Sequence, residues 1–419
     1  YADIIPFYVV RAKGAYLHDE SGNKLLDAVS AYGATRFGHS PEKVVEEFIK
    51  TVKDNHLPSR AYRNPLLEEA SKRFSSLVDD LLNGHGQTKV GVKLGGGDAV
   101  DLAIKMARKY GHKVKGIPDG KQQLVFAGGT NLFNGRIISA LPPIPGIMSE
   151  GFGVNESNFV AQFNDIAGLY NIFQEHHEKI SGLIIEPILG EGGVEPANRS
   201  YLEAIRALCT QYNVVMIADE VQSWNSTGSA STFETLYKGI FPDAIIAAKS
   251  TTSGVSPMSM ILAKDQFMHV MSKGTDGSTF GGNPPAAAAA IATLEMIEED
   301  NLHNKVKHIG DVLKSELCLL KDDYPDLITD VRGQGCMLGV EFKNNEIAQE
   351  LKKGLFNFKS EEHEIDGIGV KLTKGNILRV SPNTAWEKKE IDYFIIANRS
   401  VLGKIDFERK LLQHILRDW

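Results

Sequence analysis

Six short runs rich in valine, isoleucine, leucine and alanine recur through the middle of this chain, and they constrain its fold more than any other feature. They are "VGVKL" (90–94), "QLVFAG" (123–128), "GLIIEPI" (182–188), "VVMIADE" (214–220), "AIIAAK" (244–249) and "SMILAK" (259–264). Runs of this length bounded by turn residues read as strands. Because they are nearly continuous in apolar residues, they predict strands covered on both faces, as in a largely parallel sheet. Helical patterns lie between them, so the middle of the chain reads as an α/β sheet. In one of these, "NRSYLEAIRALCTQY" (198–212), Ser200 and Glu203 have the spacing of a capping box. From Asn301 the texture changes to long charged helical stretches alternating with "VRGQGCMLGVEF" and "NILRVSP", which predicts a smaller α+β domain. Near the start, Ser21-Gly22-Asn23 forms a turn between two apolar runs, suggesting a hairpin and arm. The expected organisation is an N-terminal segment (1–40) packed with the small domain, a large domain (41–298) and a small C-terminal domain (299–419).

The stretch "DAIIAAKSTTSG" (243–254) puts a lysine where an apolar strand ends. Three roles compete for Lys249: gripping a nucleotide phosphate, bonding covalently to a carbonyl cofactor, or meeting solvent. A phosphate loop needs glycines whose amides wrap the anion. Asp243 and Ala248 stand in their places, so that role is excluded. A solvated lysine is the usual fate of such a position. The preceding strand shifts the balance, because it ends in Asp219 and Glu220, and open α/β sheets bind ligands at the carboxyl ends of their strands. Asp219 and Lys249 are therefore expected to face one crevice. A plain ion pair would satisfy both. So would pyridoxal 5'-phosphate, which needs a lysine for its aldehyde and a carboxylate to keep its pyridine nitrogen protonated.

The other needs of that cofactor have candidates. Gly95, Gly96 and Gly97 separate a strand from a helix. Their amides and the helix dipole suit a phosphate, whereas one glycine alone would signal only a tight turn. Phe133 in "LFNGR" can stack on a ring or simply fill core. Gln222, three residues past Asp219, can donate to the ring's phenolic oxygen, and Val221 beside it joins the cofactor-binding set. The loop "DGSTFGGNP" (276–284) offers Ser278 and Thr279 between glycines.

Composition removes other classes. With 46 basic and 53 acidic residues the net charge is −7, which disfavours a nucleic-acid surface. The three cysteines, Cys209, Cys318 and Cys336, are scattered, predicting a reducing compartment with no disulfide framework and no metal site. The longest apolar run, from Ala286, is too short for a membrane span. A cytoplasmic location is expected, or the mitochondrial matrix if a leader has been removed.

These segments resemble the class III aminotransferases of pyridoxal-phosphate fold type I, leaning to the branch that uses ornithine. The resemblance runs nearly end to end, through "GAYLHDESGNKLLDAVSAYG", "SRAYRN", "FNGR", "IIEPILGEGGV", "ALCTQYNVVMIADEVQ", "GSTFGGNP", "VRGQGCMLGVEF" and "ILRVSP". It implies a large domain with a mostly parallel seven-stranded sheet covered by helices, a smaller α+β domain, and a homodimer with active sites at the subunit interface. Lys249 would carry the Schiff base, Asp219 pair with the pyridine nitrogen, Phe133 stack, Gln222 meet the phenolic oxygen, and Gly96 and Gly97 hold the phosphate. Thr279 would reach the phosphate of the other subunit. Arg379 would bind a substrate carboxylate, and Glu191 would mask Arg379 while a terminal amine occupies the site. Tyr32 and Arg136 would grip the α-carboxylate of ornithine, with Tyr62 lining the pocket. The implied reaction passes ornithine's terminal amino group to 2-oxoglutarate. Acetylornithine, 4-aminobutyrate or lysine transamination, racemisation, and a non-catalytic binding role are the alternatives. Departures from the family pattern cluster in "GGGD", at Asn134, in "SWNSTG", which lacks an arginine, in "STTSG", and at Arg36.

Overall fold

The computed structural model describes residues 7–128, 158–360 and 362–417. Its centre is a seven-stranded sheet of β1 (Thr88–Lys93), β2 (Gln123–Ala127), β3 (Phe159–Ala161), β4 (Ile180–Ile185), β5 (Val215–Asp219), β6 (Ala244–Ala247) and β7 (Ser259–Lys264). The spatial order is β1-β7-β6-β5-β4-β2-β3. Only β7 runs antiparallel to its neighbours, pairing that way with both β6 and β1. The other pairings are parallel. The six apolar runs all became strands, and the seventh, β3, went unread because only three residues of it pair.

Alternation along each strand feeds two cores. Leu183, Ile185, Met216, Ala218, Ile245 and Leu262 point into one. Ile184, Val215, Ile217, Ile246 and Ile261 point into the other, against the Gly96–Lys113 helix. Every residue of β4, β5 and β6 is buried, and each isoleucine or leucine removed from water contributes roughly 1.5–3 kcal/mol. That helix lies close to the sheet. A Cβ on Gly111 would stand 2.5 Å from Ser181 Cβ, and one on Gly182 would stand 2.7 Å from Ala107 Cβ. The two glycines let helix and sheet approach, which brings the helix start to the strand ends.

The strands Ile328–Gln334, Met337–Phe342, Ile377–Val380 and Lys371–Thr373 form a separate antiparallel sheet. It shares a third core with the helices Leu302–Asp323, Asn345–Phe356 and Lys388–Arg417. The N-terminal hairpin, Tyr16–His18 against Lys24–Asp27, turns at residues 19–23. The Asp19 carboxylate accepts the Ser21 and Asn23 amides there. Its Lys24–Asp27 strand then pairs in parallel with Gly367–Gly369, tying the first residues to the C-terminal portion. Among the described residues no helix is long and apolar enough to cross a membrane.

One local expectation fails. The helix at 199–211 begins after Asn198, whose side chain makes no cap, and Glu203 pairs with Arg199 at 2.9 Å instead of forming a capping box with Ser200. The helix starts one residue before Ser200, so neither residue occupies the position a box requires.

Candidate active site

β1, β2, β4, β5 and β6 end at the same edge of the sheet, and the polar residues of interest gather there. Asp219 is the last residue of β5 and pairs in register with Ile246 of β6. Lys249 follows two residues after β6 ends. The strand reading had run through to the lysine. In the structure Ala247 ends the strand and Lys249 opens a short 3-10 turn with φ +51°. That left-handed conformation is costly for a side chain with a Cβ and typical of functional positions.

The acidic pair at the end of β5 divides by strand alternation. Asp219 turns into the crevice, where Val221 N donates to its Oδ1 at 2.9 Å. Glu220 turns away. It accepts from Thr232 N at 2.7 Å and from the Ser231 and Ser223 hydroxyls, so it anchors the start of the Thr232–Leu236 helix. Burial lifts its carboxyl to about 7 despite these hydrogen bonds.

Burial also pushes the Asp219 carboxyl well above its usual range. Glu186 nearby pushes the same way, and Lys249 opposes them. Glu186 follows the end of β4 and accepts Gly190 N at 3.0 Å. The sequence places it inside a predicted strand, although an acid at the end of an apolar strand is the same signal that marks Asp219. The Lys249 amine is pushed down to about 7, first by burial and then by Arg379; Glu191, Glu186 and Asp219 pull it upward.

Lys249 Nζ donates to the carbonyl of Tyr32 at 3.1 Å. Tyr32 belongs to a left-handed turn in which Ser30, Ala31 and Tyr32 all have φ between +46° and +58°. L-residues pay about 1–2 kcal/mol each for this. Asp27 offsets part of it by accepting the Val29 and Ser30 amides at 2.8 and 3.1 Å. The Tyr32 ring lies 5.6 Å from Lys249 Nζ and 5.6 Å from Arg379 Cζ.

Arg379 arrives from the other sheet. Leu378 and Val380 face the third core, so Arg379 between them faces the crevice. Its Nη1 donates to Glu191 Oε1 at 2.9 Å and its Nη2 to Gln222 Oε1. Gln222 Nε2 also donates to Glu191, at 3.3 Å. Gln222 therefore binds the ion pair itself, a contact its position after Asp219 did not announce. Arg379 is 2% exposed, and its Nε is buried with no hydrogen-bond partner among the described residues. Burial pushes its guanidinium below its usual value, and Glu191 draws it back up.

The glycine turn lies beside these groups. The helix begins at Gly96, and Gly95 N is taken by the Asp98 carboxylate at 2.9 Å. The first-turn amides of Gly96 and Gly97 have no partner within the helix. A Cβ on Gly96 would stand 2.9 Å from Val221 Cγ1 and 3.6 Å from Ala248 Cβ. The turn is thus pressed between the residues that follow Asp219 and precede Lys249. The atypical segments also meet, since Asn225 Nδ2 donates to Ser250 Oγ at 3.2 Å.

Other predicted residues lie apart within the single chain. Tyr62 is exposed and lines a cleft with Arg60, Asn64, Thr279 and Gly282. Ser278 Oγ accepts Gly281 N within its own loop, at 3.0 Å. That loop is held to the end of β1 by Lys93, which pairs with Asp276 at 2.5 Å. Phe133, Asn134 and Arg136 lie outside the described residues.

The crevice fits pyridoxal 5'-phosphate. A buried carboxylate short of a positive partner suits a protonated ring nitrogen, a half-buried amine of lowered pKa suits an aldehyde, and a glycine-flanked helix start suits a phosphate. The comparisons agree. A mitochondrial ornithine aminotransferase of Arabidopsis thaliana is 33% identical over 390 residues, covering 92% of this chain and 79% of its own. An acetylornithine aminotransferase structure from Elizabethkingia anophelis superposes with a TM-score of 0.81 at 29% identity, over 96% of this chain and 94% of that one. An ornithine aminotransferase structure from Toxoplasma gondii, described with partial occupancy of the cofactor at its active site, gives 0.86 at 26%, over 97% and 93%. The family model described as aminotransferase class-III matches residues 2–398, and the chain belongs to that family of pyridoxal-phosphate enzymes.

Proposed function

We propose that this enzyme transfers the terminal amino group of ornithine to 2-oxoglutarate. The observation that carries the reading is the Arg379–Glu191 ion pair beside Lys249, with Arg379 and Lys249 each 5.6 Å from the Tyr32 ring. One pocket must take a terminal amine with no adjacent carboxylate, then a 2-oxo acid that has one. Glu191 covers Arg379 in the first case and releases it for a carboxylate in the second. Pyridoxal phosphate, when bound, supplies the aldehyde that carries the amino group and a ring that takes up the electron pair.

The chain's residues supply the rest. Asp219 holds the proton on the ring nitrogen. Gly96 and Gly97 grip the phosphate, with Val221 packed behind them. Lys249, neutral above about pH 7, accepts the proton leaving the donor's terminal carbon and later returns one to the acceptor carbon. The donor carbon is oxidised to an aldehyde whose oxygen comes from water, and 2-oxoglutarate is reduced to glutamate with loss of water. Tyr32 lines the donor side. In an assembled homodimer Thr279 reaches the phosphate of the partner's site, which its exposed position in one chain supports. The core that joins Ala15, Leu26 and Ala28 to the C-terminal residues supports the packing of segment 1–40 with the small domain. Three free cysteines support a reducing compartment, the cytoplasm.

The test mixes yellow holoenzyme with single amines and follows loss of the visible band. Fastest bleaching by ornithine is expected; no bleaching by ornithine, with bleaching by acetylornithine, 4-aminobutyrate or lysine, reassigns the donor. Glu191→Ala leaves Arg379 without its carboxylate partner. Its preference for ornithine over α-amino donors such as glutamate should fall roughly 10–100-fold, about 1.4–2.8 kcal/mol, measured as the ratio of kcat/KM values. An unchanged ratio removes Glu191 from the scheme.

The Lys249 amine gives a pH dependence. Its folded pKa is lowered from 10.5 to about 7, so the reactive neutral form fills as pH rises through 7. Uptake of pyridoxal phosphate by cofactor-free protein should therefore accelerate between pH 6 and 8 and level off above, read by stopped-flow absorbance. A midpoint near 10 would contradict the burial argument.

A further inference from the structure

Among the described residues two arginines are almost wholly buried, Arg379 and Arg36, at 2% and 1% exposure. Arg379 has Glu191. Among the described residues Arg36 has no carboxylate within ion-pair distance, and a buried charge without one is costly unless its hydrogen bonds are satisfied. Its guanidinium is spent on neutral oxygens instead. Nε donates to Ser226 Oγ at 3.2 Å, Nη2 to Ser381 Oγ at 2.9 Å, and Nη1 to the carbonyl of Pro382. The Arg36 backbone joins the same place, its carbonyl accepting Thr384 N at 2.9 Å. The Cys336 thiol lies beside it.

Three pieces of the site meet at this side chain. Tyr32 and its left-handed turn lie four residues before Arg36. Ser226 lies four residues after Gln222. Ser381 and Pro382 lie two and three residues beyond Arg379, past the end of its strand. Two of the sequence departures, Arg36 and "SWNSTG", thus touch each other at Ser226.

We propose that Arg36 is a positioning residue for the acceptor half-reaction, fixing the end of the Arg379 strand so that Arg379 keeps its place when Glu191 releases it. While Glu191 is paired, Arg379 is held from the crevice side by Glu191 and Gln222. Once Glu191 withdraws, what remains is Gln222 and the strand, and Arg36 clips the end of that strand. The two guanidinium charges also repel through a poorly screened interior. The inference rests on the proposed role of Arg379 as the carboxylate-binding group.

The test compares holoenzyme Arg36→Gln and Arg36→Lys with wild type in the two half-reactions separately. Bleaching by the amino donor reports the first, and return of the visible band on adding 2-oxoglutarate reports the second. Arg36→Gln should raise the KM for 2-oxoglutarate about tenfold or more while the donor half-reaction stays close to wild type, and Arg36→Lys should recover part of the loss. Equal losses in both half-reactions, or an unchanged KM, overturn the inference. If Arg36→Gln does not fold, Ser381→Ala removes only the Nη2 acceptor and should show the same split in smaller measure; an even loss again overturns it. Should wild type fail to exchange with 2-oxoglutarate, the reading of Arg379 falls and this inference with it. Exchange by wild type without the split sinks the inference alone.

Discussion

Lys249→Ala is expected to lose steady turnover by about 10⁴-fold or more, because one side chain supplies both the cofactor attachment and the proton transfer. The structure gives three reasons for assigning both tasks to this amine. It is half-buried, its pKa falls to about 7, and among the described residues its hydrogen bond goes to the Tyr32 carbonyl. A neutral amine is a nucleophile and a base at working pH, whereas a solvated lysine is neither. The variant should still fold, since alanine removes no core packing and leaves the Ala244–Ala247 strand intact. Two measurements check it: the visible band after adding pyridoxal phosphate, and single-turnover product with ornithine. A variant that turns over near the wild-type rate would dismiss Lys249 from the chemistry.

Asp219→Asn should have opposite effects on activity and on the cofactor-free fold. Activity should fall about 10²–10³-fold, the usual loss when one preorganised electrostatic group is removed. An amide cannot hold a proton on the ring nitrogen as a carboxylate does. The cofactor-free protein should melt at the same temperature or higher. Asp219 has its folded pKa raised by burial and by Glu186. A carboxyl with a raised folded pKa binds its proton more tightly in the native state. Stability therefore declines as pH rises from the unfolded pKa through the folded one. At neutral pH asparagine escapes that penalty. Thermal unfolding with and without pyridoxal phosphate reads both signs at once. A large drop in the melting temperature of the cofactor-free variant would show Asp219 to be a structural anchor instead.

Much of this was legible in the chain. Strand burial is a local property, so six of seven central strands could be read from continuous apolar runs. An aspartate or lysine closing such a run announces itself, because nothing apolar explains it. The same rule applied to Glu186 would have found it too, but Pro187 and the apolar residues after it made the run look unbroken. Glu220 shows the limit of the rule, since adjacent acids at a strand end face opposite sides and only one can enter the crevice. Ser200 and Glu203 had the right spacing for a cap, yet the helix began one residue earlier.

The sequence by itself determined which elements form and which chemical groups stand at their ends, because those follow from periodicities of two to four residues. Only the tertiary structure decided what those groups meet. The Arg379–Glu191 pair spans 188 positions and the Arg36–Ser381 contact 345. Neither local propensity nor spacing specifies such contacts. They exist because the carboxyl edge of the central sheet, whose two faces are both buried, meets the face of the second sheet that carries Arg379. The left-handed backbone of Ser30, Ala31, Tyr32 and Lys249 has the same origin. No residue type there favours it, and it persists because the surrounding packing and hydrogen bonds outweigh its local cost.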